Sequence, residues 1–370
     1  MSVKLSLIVP TRGRVETLVY TLKSILSQAV DDVEVIVSDN VSEDGTRELV
    51  ESLRDGRVRY INPGVRLGMT EHWEFALEHA SGEYVCIIGD DDAVSKGGLR
   101  YLLDEISRSA APVYSWPTHV YIWPIGGQPP KIEYLSPMGT VRELDLHRLV
   151  KFALKWGLCN YLPLPHLYHS AVRRDVLEAI KEATGSYFKT TAPDVYMSYA
   201  IPVFSPVSID LGVPITVSGH SSKSNAGSVL LKGVDAAPVD AFIKECGGYQ
   251  VHDGLPKDIS PKVTLLLDVV FVAMDKFPEF YRDIKLNHNG MWAFIESVLY
   301  EKHEFRVLAN WKSIRRVCDV TLFGYFYCAS AFAFNKLRSK WRSRSLPQTQ
   351  LNGVIPNDVF AFSQQCEELR

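Results

Sequence analysis

The run Glu83-Tyr84-Val85-Cys86-Ile87-Ile88-Gly89-Asp90-Asp91-Asp92 is an apolar strand that passes directly into three consecutive carboxylates. It closes an alternation that begins at Leu5-Ser6-Leu7-Ile8-Val9 and continues with a helix carrying Leu18, Leu22, Ile25 and Leu26 on one face. A second strand at 33–38 ends at Asp39-Asn40, a helix opens near Asp44-Gly45-Thr46, and a short strand follows at Val58-Arg59-Tyr60-Ile61. Thr70 is then positioned to cap a helix bearing Trp73, Ala76, Leu77 and Ala80. This β-α-β-α-β order predicts parallel strands joined by right-handed crossovers, with ligands at the carboxyl ends of the strands. Pro10, Asp39 and Asp91 are expected on that edge. Three adjacent carboxylates at the end of a buried strand repel one another and resist desolvation, which calls for a compensating cation. A divalent metal carrying a phosphate ester meets that need; the structural alternative is a solvated acidic turn capping the next helix.

A chain of 370 residues with 46% hydrophobic and 22% charged content can bury one large core plus an appended subdomain. The net charge of -3 provides no basic field, so nucleic acid is not expected as a partner. Six cysteines without a C-x-x-C pair, and no signal-peptide pattern at the start, lead to the expectation of reduced thiols and a cytoplasmic location.

Beyond about residue 112 the alternation dissolves into Pro-, Trp- and Tyr-rich segments with helical runs near 145–156 and 174–182. The small, polar stretch from Ser218 to Ser228 has the composition of a mobile loop. From about 258 to 345 the pattern is helical. Its last part, from Val320 to Phe334, is an apolar run of about 15 residues, short of the roughly 20 needed to span a bilayer. Lys336, Arg338, Lys340, Arg342 and Arg344 follow it. Such a segment suits an interfacial anchor on the inner membrane; a core helix with a solvated basic end is the alternative.

Several pieces in fixed order make the chain resemble the family-2 glycosyltransferases of the GT-A fold. These are Ile8-Val9-Pro10-Thr11-Arg12, Ser38-Asp39-Asn40-Val41-Ser42-Glu43-Asp44-Gly45-Thr46, Gly68 with the helix behind it, Ala80-Ser81-Gly82-Glu83-Tyr84-Val85, and Gly89-Asp90-Asp91-Asp92. The resemblance implies an α/β chain with a Rossmann-like, mostly parallel central sheet flanked by helices and a helical C-terminal extension. It divides the chain into a GT-A domain over 1–230 (a nucleotide-binding half to about 110, an acceptor half over 111–230) and a mainly helical region over 231–370. A dinucleotide-binding enzyme is excluded, because its G-x-G-x-x-G turn is replaced here by Pro10-Thr11-Arg12-Gly13-Arg14.

The implied activity is inverting transfer of a sugar from a nucleotide-sugar donor, most plausibly carrying UDP, to a hydroxyl of a glycan or lipid-linked saccharide. Pro10, Thr11, Arg12, Asp39, Asn40, Arg66, Asp90 and Lys223 are expected around the donor, and Asp91, Asp92 and His220 around Mn²⁺ or Mg²⁺. The family's D-x-D motif places Gly89 at its first position, a departure that Asp90 or Asp92 would compensate. The ion's task would be to neutralise charge on the departing nucleoside diphosphate. Asp194, in Thr191-Ala192-Pro193-Asp194-Val195, matches the family's general base at a helix start, although Pro193 stands where the family carries Glu. His166 and His169 are rival bases. Two other classes compete: a nucleotidyl- or phosphoryl-transferring enzyme on the same carboxylates, and a non-catalytic nucleotide-sugar-binding assembly partner.

Overall fold

The computed structural model describes residues 3–134, 138–157, 163–223, 244–245, 250–259, 261–299, 307–345 and 355–366. The strands are β1 (Leu5–Thr11), β2 (Val33–Asp39), β3 (Val58–Ile61), β4 (Tyr84–Ile87), β5 (Ala93–Val94), β6 (Val113–Ser115), β7 (His119–Ile122), β8 (Lys131–Tyr134), β9 (Arg142–Asp145), β10 (Ser170–Arg173), β11 (Val207–Asp210) and β12 (Thr216–His220). The helices of the α/β part are α1 (Val15–Leu26), α2 (Thr46–Ser52), α3 (Met69–Glu78), α4 (Gly98–Ser109), α5 (Leu146–Trp156), α6 (Arg174–Thr184) and α7 (Pro193–Phe204). Those that follow are α8 (Pro261–Lys276), α9 (Pro278–Tyr281), α10 (His288–Leu299), α11 (Trp311–Val317), α12 (Leu322–Ser345) and α13 (Val359–Gln365).

The central sheet runs β3-β2-β1-β4-β10-β6-β11-β9, and β1 is parallel to both β2 and β4. β1 and β2 are buried along their whole length, as expected of central parallel strands covered on both faces. Their alternation divides the core: Leu5, Leu7 and Val9 pack with α1 and α4, whereas Ile8, Ile36, Val85 and Ile87 join Trp73 and Leu77 of α3 and residues of α5 to α8. The C-terminal helices share this second cluster through Leu267, Trp292 and Tyr325.

Two expectations need correction. The Ser218–Ser228 stretch begins as strand rather than loop: β12 runs antiparallel to β5 and parallel to β7 in a second sheet of order β5-β12-β7-β8. Its Val217 is fully buried, and its small residues serve close packing. Positions 224–228 lie outside the described residues. The third helix starts at Met69 after Gly68, and the Thr70 hydroxyl donates to the Thr190 carbonyl at 2.8 Å instead of capping. No helix among the described residues is long and apolar enough to cross a membrane.

Candidate active site

The register brings the expected edge together. Thr11 pairs with Asp39, the Asn40 amide donates to the Thr11 carbonyl at 3.0 Å, and the Ile88 amide donates to the Ile8 carbonyl at 3.0 Å. The chain leaving β4 therefore delivers Gly89 to Asp92 beside the ends of β1 and β2. The three carboxylates are buried, but each has a different environment.

Asp90 is fully buried, and its Oδ2 accepts from Thr11 Oγ1 at 2.6 Å and from Arg14 Nε at 2.9 Å. Burial raises its carboxyl above the ordinary range, with the Arg14 guanidinium opposing the shift. Asp92 is also fully buried: Oδ2 accepts from the Gly89 amide at 2.5 Å and from the Tyr168 hydroxyl at 2.6 Å, and Oδ1 accepts from the Gly219 amide at 2.7 Å. Burial and then the Asp91 charge raise the Asp92 carboxyl. Asp92 is thus held through both oxygens, whereas Asp90 is held through Oδ2 and its Oδ1 is buried without a hydrogen-bond partner. Asp91 Oδ2 accepts from the Ser221 amide at 2.9 Å, and no hydrogen bond among the described residues engages its Oδ1. Its carbonyl oxygen accepts from Trp123 Nε1 at 2.9 Å.

Two glycines make this packing feasible. A Cβ on Gly219 would stand 1.8 Å from the Asp91 carbonyl oxygen, so only glycine lets β12 lie against the acidic turn. A Cβ on Gly89 would stand 2.7 Å from the Tyr168 hydroxyl. The departure from D-x-D therefore has a steric basis: the Tyr168 ring fills the space a side chain at 89 would need. The Ile87 amide donates to the Leu167 carbonyl and the His169 amide to the Ile87 carbonyl, both at 3.0 Å, which lays this segment along β4. Leu167 and His169 have φ of 64° and 55°, a strained backbone of the sort found where packing over-determines conformation. His169 Nε2 lies 3.3 Å from Asp92 Oδ2, and burial drives the imidazole down to about 3, leaving it neutral and ill-suited as a base.

Asp39 accepts from the Ser42 amide at 3.0 Å and from the Tyr60 hydroxyl at 2.6 Å. Asn40 exchanges hydrogen bonds with the backbone of Leu67 at 2.8 and 2.9 Å. Their side chains thereby fix the connection from β3 to α3. Arg12 and Arg66 both reach Glu245, each at 2.8 Å, so the two guanidiniums converge on one carboxylate. Lys223 pairs with Glu16 at 2.5 Å and donates to the Gly13 carbonyl at 3.1 Å, tying the end of the second sheet to the β1–α1 turn. Arg14, Trp123 and Ser221 line a cleft between these elements. His220 stands beside Ser221; its Nδ1 is buried without a hydrogen bond and lies 4.0 Å from Glu133.

Asp194 is half-buried in the first turn of α7, behind Pro193 at the first helical position. The helix N-terminus favours its negative charge. Burial raises the Tyr168 phenol well above its ordinary value, followed by the charges of Asp92 and Asp91, and Asp194 also contributes. The Tyr168 ring stacks on Trp73 with centroids 5.9 Å apart. Sequence reasoning missed Arg14, Trp123, Tyr168 and Gly219. Only Arg14 had a readable signal, as a cation in the turn facing the triplet.

No three acidic, histidine or cysteine side chains among the described residues are grouped to enclose a metal ion. Asp91 Oδ1, which accepts no hydrogen bond among the described residues, is a hard carboxylate oxygen of the kind a divalent ion takes.

The sheet order and an acidic turn after the fourth strand define a GT-A type of α/β fold. The structure of S. aureus TarS residues 1–349 in complex with UDP-GlcNAc superposes with a TM-score of 0.52 at 16% identity, over 90% of this chain and 92% of that one. The family profile described as Glycosyl transferase family 2 matches residues 6–188, and the chain belongs to that family. Over 114 residues it is 38% identical to the GalNAc(5)-diNAcBac-PP-undecaprenol beta-1,3-glucosyltransferase of Campylobacter jejuni, 30% of this chain and 37% of that protein. Over 111 residues it is 34% identical to abequosyltransferase RfbV of Salmonella typhimurium, 29% of this chain and 33% of that protein. The matches thus span about a third of these curated relatives.

Proposed function

We propose that the protein is an inverting glycosyltransferase that moves a sugar from a UDP-linked donor to a hydroxyl of a lipid-linked saccharide at the cytosolic face of a membrane. The observation that carries this reading is the acidic turn at the ends of β1 and β2, in which Asp92 is hydrogen-bonded through both oxygens whereas Asp91 Oδ1 and Asp90 Oδ1 accept no hydrogen bond among the described residues. Membership of family 2 and the name of the Campylobacter jejuni relative, which specifies an undecaprenol-linked saccharide, support the substrate class.

Asp91 is the residue proposed to hold Mn²⁺ or Mg²⁺, with His220 beside it. A bound ion would offset negative charge on the departing diphosphate. Arg12, Arg66 and Lys223 supply cationic groups around the edge, and Asp39 and Asn40 shape the walls of the base site. Asp194 takes the proton from the acceptor hydroxyl as it attacks the anomeric carbon opposite the leaving group. Tyr168 holds Asp92 through its hydroxyl.

The test is product analysis with UDP-sugars and undecaprenyl-diphosphate-linked saccharides, with and without Mn²⁺. Metal-dependent formation of UDP and an elongated lipid is expected, with inversion at the anomeric carbon. Release of pyrophosphate would overturn the reading in favour of nucleotidyl transfer; donor binding without turnover on any acceptor would leave a binding partner.

A further inference from the structure

Among the described residues, eleven large hydrophobic side chains are exposed, and four of them lie within six positions of α12: Leu322, Phe323, Phe326 and Tyr327. Phe323 is 85% exposed. The opposite side of the helix is in the core, where Tyr325 and Cys328 are 6% and 3% exposed and α12 packs along α10. Phe323, Phe326 and Tyr327 follow the i, i+3, i+4 spacing of one outward stripe.

Charge supports one occupant for this stripe. Lys312, Arg315 and Arg316 precede α12, and Lys336, Arg338, Lys340, Arg342 and Arg344 lie within it. Against these eight cations stands Asp319 alone, so positions 312–345 carry +7 in a chain whose total is -3, and the remainder carries -10. An exposed aromatic stripe in a segment rich in cations, on an otherwise anionic protein, matches a surface that is apolar below and negative above. We propose that this face of α12 lies flat in the headgroup layer of an anionic lipid membrane, with Phe323, Phe326 and Tyr327 inserted. The inference is independent of the catalytic reading, because it is measured without donor or acceptor.

Co-sedimentation of the full chain with vesicles tests it, comparing phosphatidylglycerol–phosphatidylethanolamine with pure phosphatidylcholine. Binding to the anionic vesicles is expected to be at least about tenfold tighter at low salt and to weaken as salt rises. The F323S/F326S/Y327S variant should lose about tenfold on anionic vesicles while keeping the parent circular dichroism spectrum and thermal midpoint, since the replaced rings are exposed. The K336Q/R338Q/K340Q/R342Q/R344Q variant should lose the preference for anionic lipid. Equal partitioning of the parent onto both vesicle types, or parent-like binding by the triple variant, would overturn the proposal. A dimer in sedimentation velocity that the triple variant abolishes, without vesicle binding by the parent, would assign the face to a second copy of the chain.

Discussion

Tyr168 donates its hydroxyl proton to Asp92 at 2.6 Å from the space that Gly89 leaves open. One ring thus replaces a missing motif side chain and neutralises part of the demand of a buried carboxylate. Asp91 and Asp90 are left each with one oxygen that accepts no hydrogen bond among the described residues.

Asp91→Ala should abolish metal-dependent donor binding, whereas Asp194→Asn should leave donor affinity within about twofold and cut turnover by at least about a hundredfold, the usual scale for a general base. Calorimetric titration with UDP-sugar and Mn²⁺, run beside single-turnover kinetics, separates the two. A fully active Asp194→Asn protein would remove Asp194 from the base role.

Arg14 is the cation that faces Asp90, which is fully buried. Arg14→Met should cost about 3 kcal/mol, the low end for breaking a buried pair, because Asp90 can escape by taking a proton. Adding Asp90→Asn should restore much of the loss. Urea unfolding of the single and double variants gives the coupling directly, and additive losses would contradict the pairing.

Metal-free stability should carry a signature of Asp92. Burial and the neighbouring Asp91 charge raise its carboxyl from 3.8 to about 7, so the folded protein keeps a proton that the unfolded chain releases. That contribution is fully present below about pH 4 and is lost as pH rises through 7. Buried His72 and His169, lowered to about 4 and about 3, act in the opposite sense over part of this range. The readout is therefore the difference between parent and Asp92→Asn in urea midpoints: the parent should decline relative to the variant between pH 5 and 8. Parallel curves would show that Asp92 stays ionised in the fold.

Gly219→Ala should destabilise by at least about 1–3 kcal/mol and impair activity, because its Cβ would overlap the Asp91 carbonyl. Gly56→Ala, with open space around it, is the control and should leave the thermal midpoint unchanged or slightly raised.

The parallel half of the fold was legible because β1, β2 and β4 are continuous apolar runs and the intervening helices keep a clean apolar face. The acidic turn was legible because like charges at a strand end are physically costly. The partners of those charges were not: Tyr168 lies 76 residues away from Asp92 and Gly219 lies 127 away, and neither has a local pattern that announces its role. β12 was hidden for a related reason. Small, polar residues were read as mobility where they reflect close approach of two backbones. The anchoring of Asp39 by Tyr60, and of Asn40 by Leu67, is equally invisible in the sequence, because the partners stand 21 and 27 residues away.

α13 packs against α1, β5 and β12, Phe362 stacks on Tyr121 at 5.3 Å, and the Tyr121 hydroxyl donates to the Pro356 carbonyl at 2.6 Å. The strand that presents Gly219, His220 and Ser221 to Asp91 is therefore backed by residues almost 140 positions downstream. Proteolytic clipping ahead of Pro356 would leave the nucleotide-side half intact in sequence yet unbuttressed beneath its acidic loop, so expression boundaries drawn at the end of the matched family region would sever a strut of the very site they aim to preserve.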